Sequence, residues 1–224
     1  MSKLLTKSNY LLGLQCPKLL WITKNDKQRI PEPDFSAKQK FKIGDLIGVL
    51  ATKVFPGGAD LAELDFMENI KATSEAVKKR QTIYEAGFMV DNLFSRADIL
   101  VPVGEDEWDI VEVKSATQVK EVNVHDVSFQ KYVYEKAGLK IRDCILMHIN
   151  NAYVRDGEIE PSELFVQANI GEEVLEVSKG IEERIVGEIE AEQKLIDASR
   201  ELVEIFEGKI EKVIGGVWGK DDIN

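Results

Sequence analysis

The sequence predicts an α/β protein in which a mixed four-stranded sheet is flanked by helices and is followed by a helical C-terminal extension. Three consecutive β-prone stretches lie within residues 82–113, and a helical stretch separates them from a fourth at residues 143–150. Helical patterns fill the chain on both sides of this block. The order is therefore αβββαβ, which is typical of helices layered on a mixed sheet.

The N-terminal part of the chain is expected to be helical. Ser8 has a side chain suited to the N-cap of a first helix, and Pro17 either interrupts that helix or begins a second one. Two prolines indicate a loop within residues 29–34. Apolar residues then recur at roughly helical spacing over residues 41–54 and over residues 61–77, which predicts two further helices.

The sheet begins where this helical spacing ends. Residues 82–90 are β-prone, residues 93–103 finish in an apolar run, and residues 108–113 interleave apolar with acidic side chains. Gly104 marks a turn between the last two stretches, so the three strands are expected to form an antiparallel meander. An amphipathic helix is predicted at residues 125–137, before the fourth strand.

The C-terminal part, from residue 171 onward, is helical in pattern and acidic. We divide the chain into a sheet domain at residues 1–168, which includes the N-terminal helices, and an acidic helical extension at residues 169–224. An apolar stripe along the extension packs either on the core or on a partner, such as another protein or a second copy of the chain. The stripe consists of Val174, Val177, Ile181, Ile185, Ile189, Leu195, Ile196, Leu202, Ile205 and Ile210.

Composition and charge indicate what kind of protein this is and which partners it could bind. With 44% hydrophobic and 31% charged residues and no apolar run of membrane-spanning length, the chain is expected to be globular, cytoplasmic and free of membrane contact. The net charge of −11 argues against a nucleic-acid partner. Residues 1–80, however, carry 14 basic against 9 acidic side chains, so this part could face phosphate groups, although a solvated surface would explain the same charges.

Ionisable side chains are expected to meet on the second and third strands. Asp98 lies in an otherwise apolar strand, and Glu112 and Lys114 stand at the end of the next one. Residues two apart in a strand share a face, so Glu112 and Lys114 point the same way. Pairing of the two strands would bring Asp98 close to Glu112.

Two adjacent carboxylates repel each other unless a cation lies between them. Oxygen ligands of this kind suit Mg²⁺ or Mn²⁺, which would polarise a phosphate and lower the pKa of a bound water molecule. Lys114 would place that water and offset the charge that develops on the phosphoryl oxygens. The pattern favours hydrolysis of phosphodiester bonds, although ordinary strand-end carboxylates on a solvated face would share it.

The order of these residues resembles the motifs of a known group of enzymes. Asp98, the EVK triplet at residues 112–114, and the pair Gln130 and Tyr134 resemble the D…(D/E)XK and QxxxY motifs of the PD-(D/E)XK nuclease superfamily, in the RecB-type branch that includes the Cas-four-like nucleases. The match runs from about residue 8 to residue 150. The resemblance implies a restriction-endonuclease-like core and metal-dependent cleavage of nucleic acid, with DNA as the favoured substrate.

The resemblance also implies roles for single residues. Gln130 and Tyr134 would help to hold the nucleic acid near the metal, and the main-chain carbonyl of Val113 would be a metal ligand. Many members carry a GxxxH histidine in an early helix, but the corresponding position here is Gly48. The site would then have fewer ligands, or Glu85 from the first strand would contribute one.

The cysteines resemble only part of the family pattern. The opening of the chain, from Tyr10 to Cys16, is similar to that branch, in which a first cysteine precedes a proline. Members with an iron–sulfur cluster have three cysteines near the C-terminus, whereas no cysteine follows Cys144 here. An iron–sulfur cluster is therefore not expected.

Two alternatives to an active nuclease are consistent with the sequence. The missing histidine and the acidic balance favour a module that keeps the fold and binds nucleic acid without cleaving it. The apolar stripe of the extension favours a protein-interaction role, in which the C-terminal helices dock on a partner.

Overall fold

The N-terminal part of the protein is helical, as its sequence predicts. The computed structural model describes residues 4–218, apart from several side chains in the last helix. Thr6 rather than Ser8 caps the first helix, because the Asn9 N–H donates to Thr6 Oγ1 at 3.2 Å, and Pro17 begins the second helix. This part consists of β1 (Leu5–Thr6), α1 (Lys7–Gln15), α2 (Pro17–Asn25), a 3₁₀ helix (Lys27–Arg29) and α3 (Phe35–Thr52).

All four predicted strands are present, and they lie in one mixed sheet of an α/β architecture. The meander is antiparallel, and the fourth predicted strand is parallel to the third because a helix crosses over between them. The elements of this part are β2 (Ala59–Asp60), α4 (Phe66–Lys78), β3 (Ile83–Val90), β4 (Leu93–Val103), β5 (Glu107–Lys114), α5 (Glu121–Lys136), β6 (Lys140–Ile149), α6 (Pro161–Leu164) and β7 (Phe165–Asn169).

The sheet is wider than the sequence predicts. Its seven strands lie in the order β2-β3-β4-β5-β6-β7, with β1 paired to β4, so three short strands extend the predicted four. β1 and β2 have two residues each, and so short a stretch shows no alternation of apolar and polar residues. Of the five residues of β7 only Phe165 is buried, so this strand also lacks a clear pattern.

One edge of β4 is shared by two strands, and this arrangement positions the site. β3 pairs along the other edge of β4. On the shared edge, β1 runs parallel to β4 at Leu93 and Phe94, whereas β5 runs antiparallel to it from Ile99 to Val103. β1 and β5 therefore approach each other end to end, with residues 95–98 of β4 facing the gap between them.

Helices cover both faces of the sheet. Ile110 and Leu146 belong to the larger core cluster, which includes side chains of α1 and α5, whereas their neighbours Val111 and Met147 belong to a smaller one. Ala51 of α3 lies in the smaller cluster. Since successive residues of a strand face opposite sides, the sheet is the middle of three layers.

The C-terminal helices begin on the core and end away from it. They are α7 (Gly171–Ser178) and α8 (Ile181–Trp218). The members of the predicted stripe that are buried in the larger core cluster are Val174, Ile181 and Ile185, with Val177 partly buried against it. Those that are 45–56% exposed are Leu202, Ile205 and Ile210. Those whose side chains lie outside the described part of the chain are Ile189, Leu195 and Ile196. Within residues 4–218, no helix combines the length and the apolar character needed to cross a bilayer.

Candidate functional site

Glu112 is the centre of the site. Its side chain is almost fully buried near the end of β5, and donors surround both of its oxygens. Lys7 Nζ lies 3.1 Å from Oε1 and 3.2 Å from Oε2. Lys114 Nζ lies 2.5 Å from Oε1, and Gln130 Nε2 donates to Oε2 at 2.7 Å. The structure therefore brings the predicted residues Glu112, Lys114 and Gln130 into one hydrogen-bonded cluster.

Asp126 on α5 adds another carboxylate to this cluster, and the sequence analysis missed it. Lys114 Nζ lies 2.8 Å from its Oδ2, and Gln130 Nε2 donates to its Oδ1 at 3.0 Å. Lys7 Nζ lies 3.3 Å from the same Oδ1. The spacing in sequence was a usable signal, because Asp126 and Gln130 are four residues apart and so share a face of the helix.

α5 begins one turn earlier than the sequence predicts, at Glu121 rather than at His125. The side-chain oxygen of Asn123 accepts a hydrogen bond from the Lys120 N–H at 3.0 Å, at the start of the helix. The added turn alternates Glu121 and Asn123 with two valines, so it does not show the apolar spacing that predicts a helix. The extra turn places Asp126 inside the helix rather than at its end.

Lys7 is the second residue of the cluster that the sequence analysis missed. It precedes Glu112 by 105 residues, and its side chain is 19% exposed. β1 ends at Thr6, so Lys7 begins α1 where β1 points toward the end of β5. No local pattern signals such a contact, because it depends on two strands sharing one edge of β4.

Asp98 is fixed where β4 and β5 separate. The ladder between these strands ends at the pair Ile99 and Val111. Beyond it, the Val113 N–H donates to Asp98 Oδ2 at 2.7 Å, so the carboxylate serves as the acceptor in place of a main-chain carbonyl. This bond anchors Asp98 to the part of β5 that carries Glu112.

Glu85 lies on β3 and is engaged by Arg96 rather than by the cluster around Glu112. The Arg96 Nε is 2.6 Å from Glu85 Oε2. The backbone of Glu85 is left-handed, with φ 58°, which is uncommon for a residue with a side chain. Asn69 of α4 donates to the Glu85 carbonyl at 2.9 Å and holds this distortion. A role for Glu85 as a metal ligand stays a prediction.

Tyr134 lies outside the cluster and braces the sheet. Its hydroxyl donates to the Ala86 carbonyl at 2.6 Å and accepts from the Ala97 N–H at 2.7 Å, so it bridges facing main-chain groups of β3 and β4. Both Tyr134 and Gln130 have fully buried side chains. The role that the resemblance implies for them, helping to hold the nucleic acid near the metal, stays a prediction.

The buried charges shift the pKa values of the site in opposite directions. Burial opposes ionisation of Glu112, but the ammonium groups of Lys7 and Lys114 outweigh it and lower the pKa of this carboxyl. Burial and the charge of Glu112 raise the pKa of Asp98. The carboxylates in turn outweigh burial at both lysines and raise their pKa. Glu112 is therefore the main anionic centre, with both lysines charged.

A cavity of about 450 Å³ opens beside this cluster. Asp98 and Glu85 form its acidic wall, and Lys7 and Arg96 line it with positive charge. The first turn of α1 also faces it, and the N–H groups at the start of a helix favour anions. The cavity thus places the cationic groups of Lys7 and Arg96 next to the carboxylates of Asp98 and Glu85. Its remaining lining residues are Thr6, Ser8 and Phe94.

The donor chemistry of the site fits Mg²⁺ or Mn²⁺. The carboxylates of Asp98 and Glu112, with the neighbouring carbonyl of Val113, are oxygen donors of the class that these ions bind, often with few protein ligands and several water molecules. Within residues 4–218, no three histidine, cysteine or acidic side chains converge as a ready metal site. The oxygens of Glu112 are instead directed at ammonium groups, so a metal would have to replace one of these donors.

No protein-family model matches the sequence, and no curated protein matches it either. Among solved structures, the chain is similar to LHK-Exo in complex with dAMP, with 9% identity and a TM-score of 0.44 over 93% of this chain and 94% of that one. It is also similar to SSO0001, with 11% identity and a TM-score of 0.34 over 83% of this chain and 77% of that one. Both likenesses are distant, and they do not identify the reaction.

Proposed function

We propose that this protein hydrolyses phosphodiester bonds of nucleic acid, with DNA as the favoured substrate and Mg²⁺ or Mn²⁺ as the cofactor. The anchoring of Asp98 on the Val113 N–H, next to Glu112 and Lys114, is the observation that carries this proposal. Two carboxylates and a lysine are held together where the pairing of β4 and β5 ends, beside a cavity lined by two basic and two acidic side chains.

Asp98, Glu112 and the Val113 carbonyl would hold the metal ion. Bound there, the ion would polarise the phosphate and lower the pKa of a water molecule. Lys114 would contact that water or the phosphoryl oxygens, since its ammonium already lies at the carboxylates. Asp126 and Gln130 would keep Lys114 and Glu112 in place through their hydrogen bonds.

The cavity supports a phosphate-bearing substrate. Arg96 and Lys7 would face the phosphate groups, and the start of α1 adds main-chain donors. The first 80 residues also carry more basic than acidic side chains, which would favour phosphate, although the net charge of the whole chain is negative. The substrate would therefore approach from the side of the N-terminal helices.

Cleavage of labelled single-stranded and duplex DNA, with Mg²⁺, Mn²⁺ or a chelator, tests the proposal. We expect metal-dependent cleavage by the wild type, and a loss of about 100-fold or more in Glu112→Gln and Lys114→Met because each removes charge stabilisation at the reacting phosphate. Lys140→Met and Glu135→Gln are matched controls on exposed ion pairs and should keep full activity. Equal cleavage by Lys114→Met and the wild type would contradict the proposal.

A binding module without catalysis is the second candidate. Lys7 and Lys114 already neutralise Glu112 and Asp126, as in an internal salt-bridge network that needs no metal. Binding of DNA by the wild type with no cleavage in either metal, and no heat on titration with Mn²⁺, would favour this candidate.

A further inference from the structure

The Lys7 ammonium holds a position that a metal ion bound to Glu112 would need. Its ammonium lies 3.1 Å and 3.2 Å from the two oxygens of Glu112 and 3.3 Å from Asp126. A carboxylate offers about four lone-pair sites. Lys7 contacts both oxygens of Glu112, Lys114 contacts one and Gln130 the other, so these sites are filled.

Of the three donors on Glu112, Lys7 is the one whose side chain lines the cavity. Gln130 is fully buried in α5 and is also bonded to Asp126. Lys114 makes the shorter contacts, at 2.5 Å from Glu112 and 2.8 Å from Asp126, and stands on the same strand as Glu112. Lys7, in contrast, lies 3.1 Å and 3.2 Å from the oxygens of Glu112 and 3.3 Å from Asp126, and it lines the cavity beside Asp98. A cation bound to Glu112 would repel the nearby ammonium, because like charges a few ångströms apart are strongly unfavourable in a buried site.

We propose that Lys7 and a divalent metal ion are alternative partners of Glu112, and that metal binding moves the Lys7 ammonium into the cavity beside Arg96. The inference rests on the metal site of the proposed function. The ammonium then stands among Thr6, Ser8 and Arg96, where the substrate phosphate would lie. Lys7 thus keeps the carboxylates neutralised before the metal binds and becomes a phosphate ligand afterwards.

Chemical labelling of the wild-type chain tests the movement directly. The protein is treated with a limiting amount of an amine-reactive ester, with and without Mn²⁺, and modification of each lysine is measured by peptide mass spectrometry. We expect labelling of Lys7 to rise about five-fold with Mn²⁺, because an amine released from a buried ion pair becomes accessible. Lys131, in an ion pair with Glu135 elsewhere on the protein, is the internal control and should not change.

Calorimetric titration with Mn²⁺ supplies the second measurement. Lys7→Met removes the competing charge and keeps a side chain of similar length, so the variant should bind Mn²⁺ about ten-fold more tightly than the wild type. Circular dichroism establishes that the variant is folded, and Lys131→Met is the matched control. If Lys7→Met does not fold, labelling of the wild type alone decides whether Lys7 and the metal ion compete for Glu112.

The outcomes separate this inference from the proposed function. Increased Lys7 labelling with Mn²⁺ supports it. Binding of Mn²⁺ by the wild type with unchanged Lys7 labelling overturns the competition and leaves the metal site standing. Absence of Mn²⁺ binding in both the wild type and Lys7→Met overturns the inference and the proposed metal site together.

Discussion

The hydroxyl of Tyr134 connects two strands at the point where the site is built. It is fully buried, and it bonds both the Ala86 carbonyl and the Ala97 N–H. Ala86 follows the left-handed Glu85, and Ala97 precedes Asp98. A single side-chain oxygen therefore satisfies the main chain on both strands next to the two acidic residues of the cavity wall.

Tyr134→Phe should destabilise the protein by about 1–3 kcal/mol, because it leaves the Ala97 N–H and the Ala86 carbonyl buried without their partner. Urea denaturation followed by circular dichroism measures the change. Tyr132→Phe is the matched control, since the Tyr132 hydroxyl bonds Glu182 at the surface. Its effect should stay within about 0.5 kcal/mol. Equal effects of the two substitutions would show that the brace adds no stability.

The residues of the site differ in how readily sequence reveals them. Glu112 and Lys114 are two apart on one strand, so their proximity follows from strand geometry alone. Gln130 was found through a motif on the next helix. Asp126 had the same helical spacing but no motif pointed to it. Lys7 lies 105 residues from its partner Glu112, and only the pairing of strands could reveal it.

At the scale of elements, α4 packs closely on β3 where Asn69 lies against Gly87. A Cβ on Gly87 would lie 2.1 Å from Asn69 Oδ1. Asn69 cannot move aside freely, because its amide nitrogen donates to the Leu61 carbonyl at 3.0 Å and to the Glu85 carbonyl at 2.9 Å. The close packing of α4 on β3 thus depends on the absence of a side chain at Gly87.

Gly87→Ala should therefore lower the free energy of unfolding by about 1–3 kcal/mol, the usual result of overpacking. Gly44→Ala on α3 is the matched control, because a Cβ there meets nothing within 4 Å. It should stabilise the protein by about 0.5–1 kcal/mol, since alanine loses less entropy in a helix. Thermal unfolding of both variants gives the comparison. An unchanged free energy of unfolding in Gly87→Ala would contradict the close packing of α4 on β3 at this position.

The long elements were predictable and the short ones were not. β4 and β5 are eleven and eight residues long and contain apolar runs or interleaved apolar and acidic residues, and the structure has them as an antiparallel pair. β1 has two residues and no pattern, yet it directs Lys7 toward Glu112. The sheet was therefore accessible from sequence, while the gap in its pairing that shapes the site was not.

At the scale of the whole molecule, the C-terminal helices share the core of the sheet. Val174, Ile181 and Ile185 lie in the cluster that also contains Ile110 and Leu146. A core that continues across the sheet and the start of α8 should unfold in one cooperative transition. The division of the chain into a sheet domain at residues 1–168 and a helical extension at residues 169–224 stays a prediction.

Ile185→Ala should lower the stability of the whole protein by about 2–3 kcal/mol, because it removes a buried side chain from the common core. The loss should appear equally in the signals of the sheet and of the helices during urea denaturation. Val186→Ala, at a side chain that is 52% exposed, is the matched control and should change little. An effect of Ile185→Ala confined to the helical signal would mean that the extension unfolds separately.

The bond between the Val113 N–H and Asp98 has a consequence for variation at this position. Residue 113 serves the site through its peptide group, while its side chain packs in the smaller cluster, with α3. Any residue other than proline that suits a half-buried strand could therefore replace valine without altering the anchor of Asp98, because only proline lacks the N–H group. The N–H group of residue 113 can thus be essential to the site while its side chain varies. A comparison of amino-acid identities among related sequences would overlook the importance of this position.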